Sequence, residues 1–370
     1  MFRTVAVSKN VRGARGFFVV LVGALLIAGY LGVGGAVASP GHATLRVPFQ
    51  YPTIQSAINA AHPGDTILVA PGTYFENLTI DKSITLKGSG SGRTTIECPA
   101  TPSGFVATVA IVNGATVDLA GFTILNTNAN DWAVLVVFGS AATIHDNSIQ
   151  ALGAGSTAIE ISESSSATIT SNEIVATANP TDFGEIGIVV YAGSQTTITH
   201  NSITGPGAYG IWIVASTATV EFNSISQFEC GYNSGLVAAG LCGPNMALQF
   251  QGAGIFDGND PGLGTTIEYN LIYTTDAGVF LGEGCPGCVV KGNIVVNSAD
   301  YGLAAFDGTY TFLQNTVIGG PYGVGAGALS VDTTVTLSHV LIVDPSVAPL
   351  YIESDFGYTA AIGGTWTVIG

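Results

Sequence analysis

The sequence predicts an all-β chain wound as a parallel solenoid, and three observations carry that reading. A nine-residue pattern keeps returning, as "ATITSNEIV" at 167–175, "TTITHNSIT" at 196–204 and "ATVEFNSIS" at 218–226. Its Asn recurs at Asn147, Asn172, Asn201, Asn223, Asn270, Asn293 and Asn315, in steps of 25, 29, 22, 47, 23 and 22 residues. Each repeat also carries a Gly or Ala followed by alternating apolar residues, as in "GIVVY" from 187, "GIWIV" from 210 and "GVFLG" from 278. The β-branched runs are too short for helices and lack the 3.6 period. A unit of about 22 residues cannot bury its own apolar face, so the units must stack as coils, each strand pairing with its counterpart one coil on. The seven Asn residues form a predicted structural ladder. An Asn amide bonds turn backbone and tolerates left-handed geometry, and at equal register successive amides can bond one another along the axis.

The first segment stands outside the solenoid. Residues 1–16 hold Arg3, Lys9, Arg12 and Arg15 and no acid, and Phe17 to Ala38 is an uncharged apolar run. With Ala36-Val37-Ala38 at its end, this is a secretory signal pattern with cleavage before Ser39. The run is also long enough to span a bilayer, so an N-terminal membrane anchor is the alternative. Residues 39–370 are then a β-helix domain, secreted or held at the cell surface. Ile54, Ala57, Ile58 and Ala61 lie at helical spacing, which predicts a short amphipathic helix at about 53–61 that covers the open edge of the first coil. Pro63-Gly64-Asp65 ends the helix and opens the strand "TILVA". The 47-residue step is one repeat plus an insertion at about 227–249, and the tail "GYTAAIGGTWTVIG" reads as further strand.

"TIQSAINAAHPGDTILVAPGTYFENLTIDKSITLKGSG" at 53–90, followed by "GFTILNT" at 121–127, resembles the entry segment of the pectin methylesterase family and its non-esterase relatives. The repeats resemble those of pectin-lyase-like β-helix proteins that bind carbohydrate or hydrolyse sugars. The resemblance covers nearly all of residues 46–345. It implies a right-handed, single-stranded parallel β-helix of about ten coils. It does not carry catalytic residues over. The catalytic "QDTL"-type Asp and later Arg of pectin methylesterases, the paired Asp, "GHG" and "RIK" motifs of polygalacturonases, and the "DPHD" of alginate epimerases are all absent.

Charge excludes several partners. The chain has 9 basic and 25 acidic residues, a net charge of −16. Without residues 1–38, five basic residues face 25 acids, a net charge of −20, and Lys291 is the sole Lys or Arg after Arg93. Such a surface does not suit nucleic acid or anionic lipid, which need clustered cations. It also disfavours polyuronate lyases and epimerases, which must hold a polyanion. The expected partner is a neutral polysaccharide, with membrane contact only through the N-terminal segment.

Alternation from the Gly/Ala position sends one column of side chains outward: Leu135, Glu160, Val189, Trp212, Phe256, Phe280 and Ala304, with Tyr191 and Phe306 two places further on. Parallel coils repeat every ~4.8 Å, so Trp212, Phe256, Phe280 and Tyr191 could form a sugar-stacking platform. Alternatively the insertion covers these rings as a satellite core. Asp257, Asp260, Asp276, Glu283, Asp300 and Asp307 gather beside the column, and Asp257, Glu283 and Asp307 fall near one strand end on successive coils. Carboxyls one or two coils apart would stand ~5 or ~10 Å apart, near the separations used by retaining and inverting glycosidases. The other readings of "DGNDPG" at 257–262 are a Ca²⁺-binding turn and a solvated turn.

Cys230 and Cys242 bracket the insertion, and Cys285 and Cys288 form C-P-G-C. In an exported protein these are disulfide candidates, with Cys98 left over. The His residues are not disposed for a metal site. The leading functional reading is a carbohydrate-binding or cell-surface protein. The alternatives are a glycoside hydrolase on a neutral glycan, using a carboxylate pair, and a structural envelope or adhesion spacer.

Overall fold

In the computed structural model, the described residues are 41–99, 107–129, 131–153, 155–177, 186–228, 252–258, 264–282, 285, 287–328, 330–354 and 358–369. The predicted signal segment, Cys230, Cys242, Asp260, Glu283 and nearly all of the insertion lie outside them. Every strand pairing is parallel, and each strand meets its counterpart one coil on. Three faces result. The first is an 11-stranded sheet running from Leu78–Ile80 to Ala348–Ser354. The second contains strands such as Gln195–Thr199, and the third strands such as Ser202–Thr204. These two are joined into one sheet where the long strands Thr333–Val343 and Ala360–Ile369 run through both. The 11 strands of the first face agree with the expected ten or so coils.

The interior is a column of aliphatic side chains, Ile198, Ile203, Ile211 and Ile213 in one coil, all fully buried. The Gly near the start of several first-face strands has a steric cause. A Cβ on Gly210 would stand 2.5 Å from both the Gly254 carbonyl oxygen and a methyl of Ile225.

The Asn residues form a continuous chain of amides. Asn201 donates from its backbone N and from Nδ2 to Asn223 Oδ1, each at 3.0 Å, and from Nδ2 to Ile169 O at 2.8 Å. The same pattern links Asn147 to Asn172 and Asn270 to Asn293. The turn geometry differs from expectation in one respect. The left-handed residue is the one before each Asn, namely Asp146, Ser171, His200, Phe222, Tyr269, Gly292 and Gln314, with φ between 53° and 64°. The Asn itself is held by its side-chain bonds, and the preceding residue makes the bend.

The first coil is closed by the helix Ile54–Ala60, which buries Ile54, Ala57 and Ile58. Thr53 and Ser56 form a capping box. Glu76 accepts from the backbone N of Ile54 and Gln55, and Lys82 donates to the carbonyls of Ile58, Asn59 and Ala61. Both helix ends are thus satisfied from the next coil. The Gln55 amide bonds Thr79 N at 2.8 Å and Thr79 O at 3.1 Å, standing in for the missing neighbour of the edge strand Leu78–Ile80. Among the described residues, no helix is long and apolar enough to cross a membrane.

Candidate functional site

The first face carries the aromatic column. Pairing places Leu135, Glu160, Val189, Trp212, Phe256, Phe280 and Ala304 in one outward file. Ring centroids are 6.4 Å apart for Trp212–Phe256, 5.3 Å for Phe256–Phe280 and 5.1 Å for Phe280–Phe306. Tyr209, in the neighbouring outward file, adds contacts of 5.3 Å to Trp212 and 5.2 Å to Phe256. Gly258 gives Phe256 room to lie along the sheet, because a Cβ there would come within 2.5 Å of the ring. Tyr209, Ala253 and Ala277 are buried in a small apolar cluster separate from the main core, against which Trp212, Phe256 and Phe280 are half-buried. The column is therefore both a packed cluster and an outward-facing surface. Tyr191 closes the strand Ile186–Tyr191 and is 38% exposed.

Glu160 lies two rungs before Trp212, ~10 Å along the axis. Trp132 Nε1 donates to its Oε2 at 2.6 Å, and Ser162 Oγ donates to its Oε1 at 2.9 Å. Burial pushes its carboxyl above the usual carboxylate range, against those two hydrogen bonds, which favour the ionised form. Burial likewise raises the Tyr191 phenol, and the charge of Glu160 adds to the shift. Sequence reading found Glu160 only as one member of the outward file. Trp132 was missed because it reaches Glu160 from another file of the preceding coil.

Of the acids singled out beside the column, Asp257 and Asp307 are buried. Asp257 is fully buried, in register with Ile213 and Leu281, and so belongs to an interior file. The strand Ala253–Gly258 runs on through it, and alternation after the outward Phe256 turns it inward. Asp307 is buried at a turn, where its Oδ1 accepts from Ser330 N at 2.8 Å and Val331 N at 3.3 Å. Glu283 is outside the described residues. The "DGNDPG" turn is described only at Asp257 and Gly258. Cys285 and Cys288 form a disulfide, and Cys98 is free and buried. Asp257 Oδ2 lies 3.7 Å from Cys285 Sγ and 3.6 Å from Cys288 Sγ. Bonded to one another, the sulfurs do not offer thiolates to a metal.

A second ring stack stands at the Asn corner. His200 and Phe222 are 5.2 Å apart, Phe222 and Tyr269 are 5.4 Å apart, and Lys291 Nζ lies 5.5 Å from the Tyr269 centroid. Phe222 and Tyr269 are exposed. The signal for this stack was the residue before each ladder Asn, which reads His, Phe, Tyr on three successive coils.

About 11 parallel turns around an aliphatic interior, with an Asn-lined corner, define the chain as a right-handed parallel β-helix. Residues 65–225 match a family described as a right handed beta helix region. No curated protein matches the chain significantly in sequence. Among solved structures, a lacto-N-biosidase from Eubacterium ramulus is similar at 12% identity and TM-score 0.53, over 89% of this chain and 68% of that one. A periplasmic alginate epimerase is similar at 14% identity and TM-score 0.50, over 88% and 84%. A pectin methylesterase from carrot is similar at 17% identity and TM-score 0.46, over 77% and 85%. At these identities the likeness is one of fold.

Proposed function

We propose that this protein binds a neutral polysaccharide along its first face, with Trp212, Phe256 and Phe280 as the stacking rungs and Tyr191 at the edge. The observation that carries the reading is the outward file of rings on three successive coils, with centroids 6.4 Å apart for Trp212–Phe256 and 5.3 Å for Phe256–Phe280, a rise that suits a glycan lying parallel to the helix axis. The surface charge favours an uncharged chain over a polyuronate. Neighbours of the same fold include proteins named for action on glycans, and export is consistent with the basic-apolar N-terminal pattern. A second reading, hydrolysis, is favoured by Glu160. A carboxyl raised by burial, on the same outward file as the rings, has the character of a general acid.

The test is a panel of neutral and uronate oligosaccharides titrated into the purified domain, with a reducing-sugar assay alongside. Binding of a neutral oligosaccharide without turnover is the expected result. Tighter binding of a uronate, or no binding by any member, would overturn it. Turnover that Glu160→Gln abolishes while binding persists would establish the second reading instead.

A further inference from the structure

Asp257 is fully buried, and its position is hard to explain by packing. The coils on either side place Ile213 and Leu281 at the same register, so an aliphatic side chain fits the site. A disulfide that only tied the 285–288 loop would be served equally well by an aliphatic neighbour. Instead a single carboxyl oxygen touches both sulfurs, at 3.7 and 3.6 Å. A disulfide sulfur carries no proton, so any hydrogen in those contacts belongs to the carboxyl. We infer that Asp257, Cys285 and Cys288 form a thiol–disulfide exchange centre, in which the Asp257 carboxyl passes protons to and from the sulfur that leaves.

The chemistry needs only a small thiol. Its thiolate attacks Sγ of Cys288, the residue that is 8% exposed against 1% for Cys285. A mixed disulfide forms to Cys288, the Cys285–Cys288 bond breaks, and the Cys285 sulfur leaves with the electron pair. The Asp257 carboxyl gives that sulfur its proton and is reprotonated from solvent. A second thiolate then attacks the thiol-derived sulfur of the mixed disulfide. It releases the small-molecule disulfide, and Cys288 takes up a proton. Two thiols are oxidised and the protein disulfide is reduced to two thiols. The tight turn, with Cys288 N donating to Cys285 O at 3.2 Å, holds both sulfurs beside the one carboxyl throughout.

The surroundings suit the role. Ile213 and Leu281 flank Asp257, its strand neighbours are Phe256 and Gly258, and the Thr265 hydroxyl is the polar group from the second face. No charged side chain among the described residues contributes to its titration, and burial pushes the carboxyl up to about 7, with Thr265 opposing.

The test uses the folded full chain with dithiothreitol between about pH 5 and 9. Loss of the Cys285–Cys288 bond is followed by alkylation and peptide mass mapping, which separates it from Cys98, Cys230 and Cys242. Far-UV circular dichroism confirms that the chain stays folded. The rate constant per thiolate should fall as pH rises through the Asp257 value. Asp257→Asn should remove that fall and be slower by ~10-fold or more on the acid side. Reduction only upon unfolding, or one flat profile shared by both proteins, would overturn the inference. If Asp257→Asn does not fold, the wild-type profile decides alone, and a flat profile overturns it.

Discussion

Asn201 makes its contribution through four donor contacts, to Asn223 Oδ1 from both N and Nδ2 and to the carbonyls of Ile169 and Thr199. It is 2% exposed, so water cannot replace a partner that is lost. Asn201→Ala takes a donor from both carbonyls and leaves Asn172 N without the Asn201 Oδ1 acceptor. The expected cost is roughly 1–3 kcal/mol, read as a lower urea midpoint with unchanged slope. A variant as stable as wild type would mean that the ladder follows from the turn rather than holding it. The ladder positions were legible in the sequence because the Asn sits at fixed register between two apolar residues. The strain-bearing position was not. An αL residue of any type can precede the Asn, and His200, Phe222 and Tyr269 share no composition that marks them. Asp257 was misread for a related reason: "DGND" looks like a turn, but the strand continues to Gly258 and alternation buries the carboxylate.

At the scale of the element, the entry segment is tied down by the buried Asp65 carboxylate as well as by apolar packing. Asp65 Oδ1 accepts from Ala43 N at 2.6 Å and Oδ2 from His62 N at 2.8 Å. These two backbone donors, His62 first, hold the Asp65 carboxyl below its ordinary value. A carboxylate lowered on folding adds stability that is present above its unfolded value of about 3.9, and that stability is lost as pH falls through the lower folded value. Asp65→Asn should therefore lower the melting temperature at neutral pH, and the gap to wild type should close in acid. A gap that persists unchanged in acid would assign the effect to shape instead. The helix itself was visible as Ile54, Ala57, Ile58 and Ala61. The contribution of Glu76, Lys82 and Gln55 to closing it was not, because those partners lie 21 to 24 residues away and meet only once the coil is wound.

At the scale of the whole solenoid, each face presents different chemistry, and the outward file of the first face was legible by counting from each Gly or Ala. Burial on that face was not, since it depends on neighbours in other coils and on Tyr209, which packs in a separate file. Cations are scarce along the solenoid. Lys291 is engaged with Glu268 at 4.0 Å and with the Tyr269 ring, so the acidic surface has little to offer a polyanion. Two ring stacks compete as glycan platforms, the column on the first face and the exposed stack at the Asn corner. Calorimetric titration of one neutral oligosaccharide into wild type, Trp212→Ala and Phe222→Ala decides between them. The account predicts that Trp212→Ala weakens binding by ~1–3 kcal/mol while Phe222→Ala leaves it within error. Loss of affinity in Phe222→Ala alone, or a Trp212→Ala protein that binds as wild type does, would contradict it.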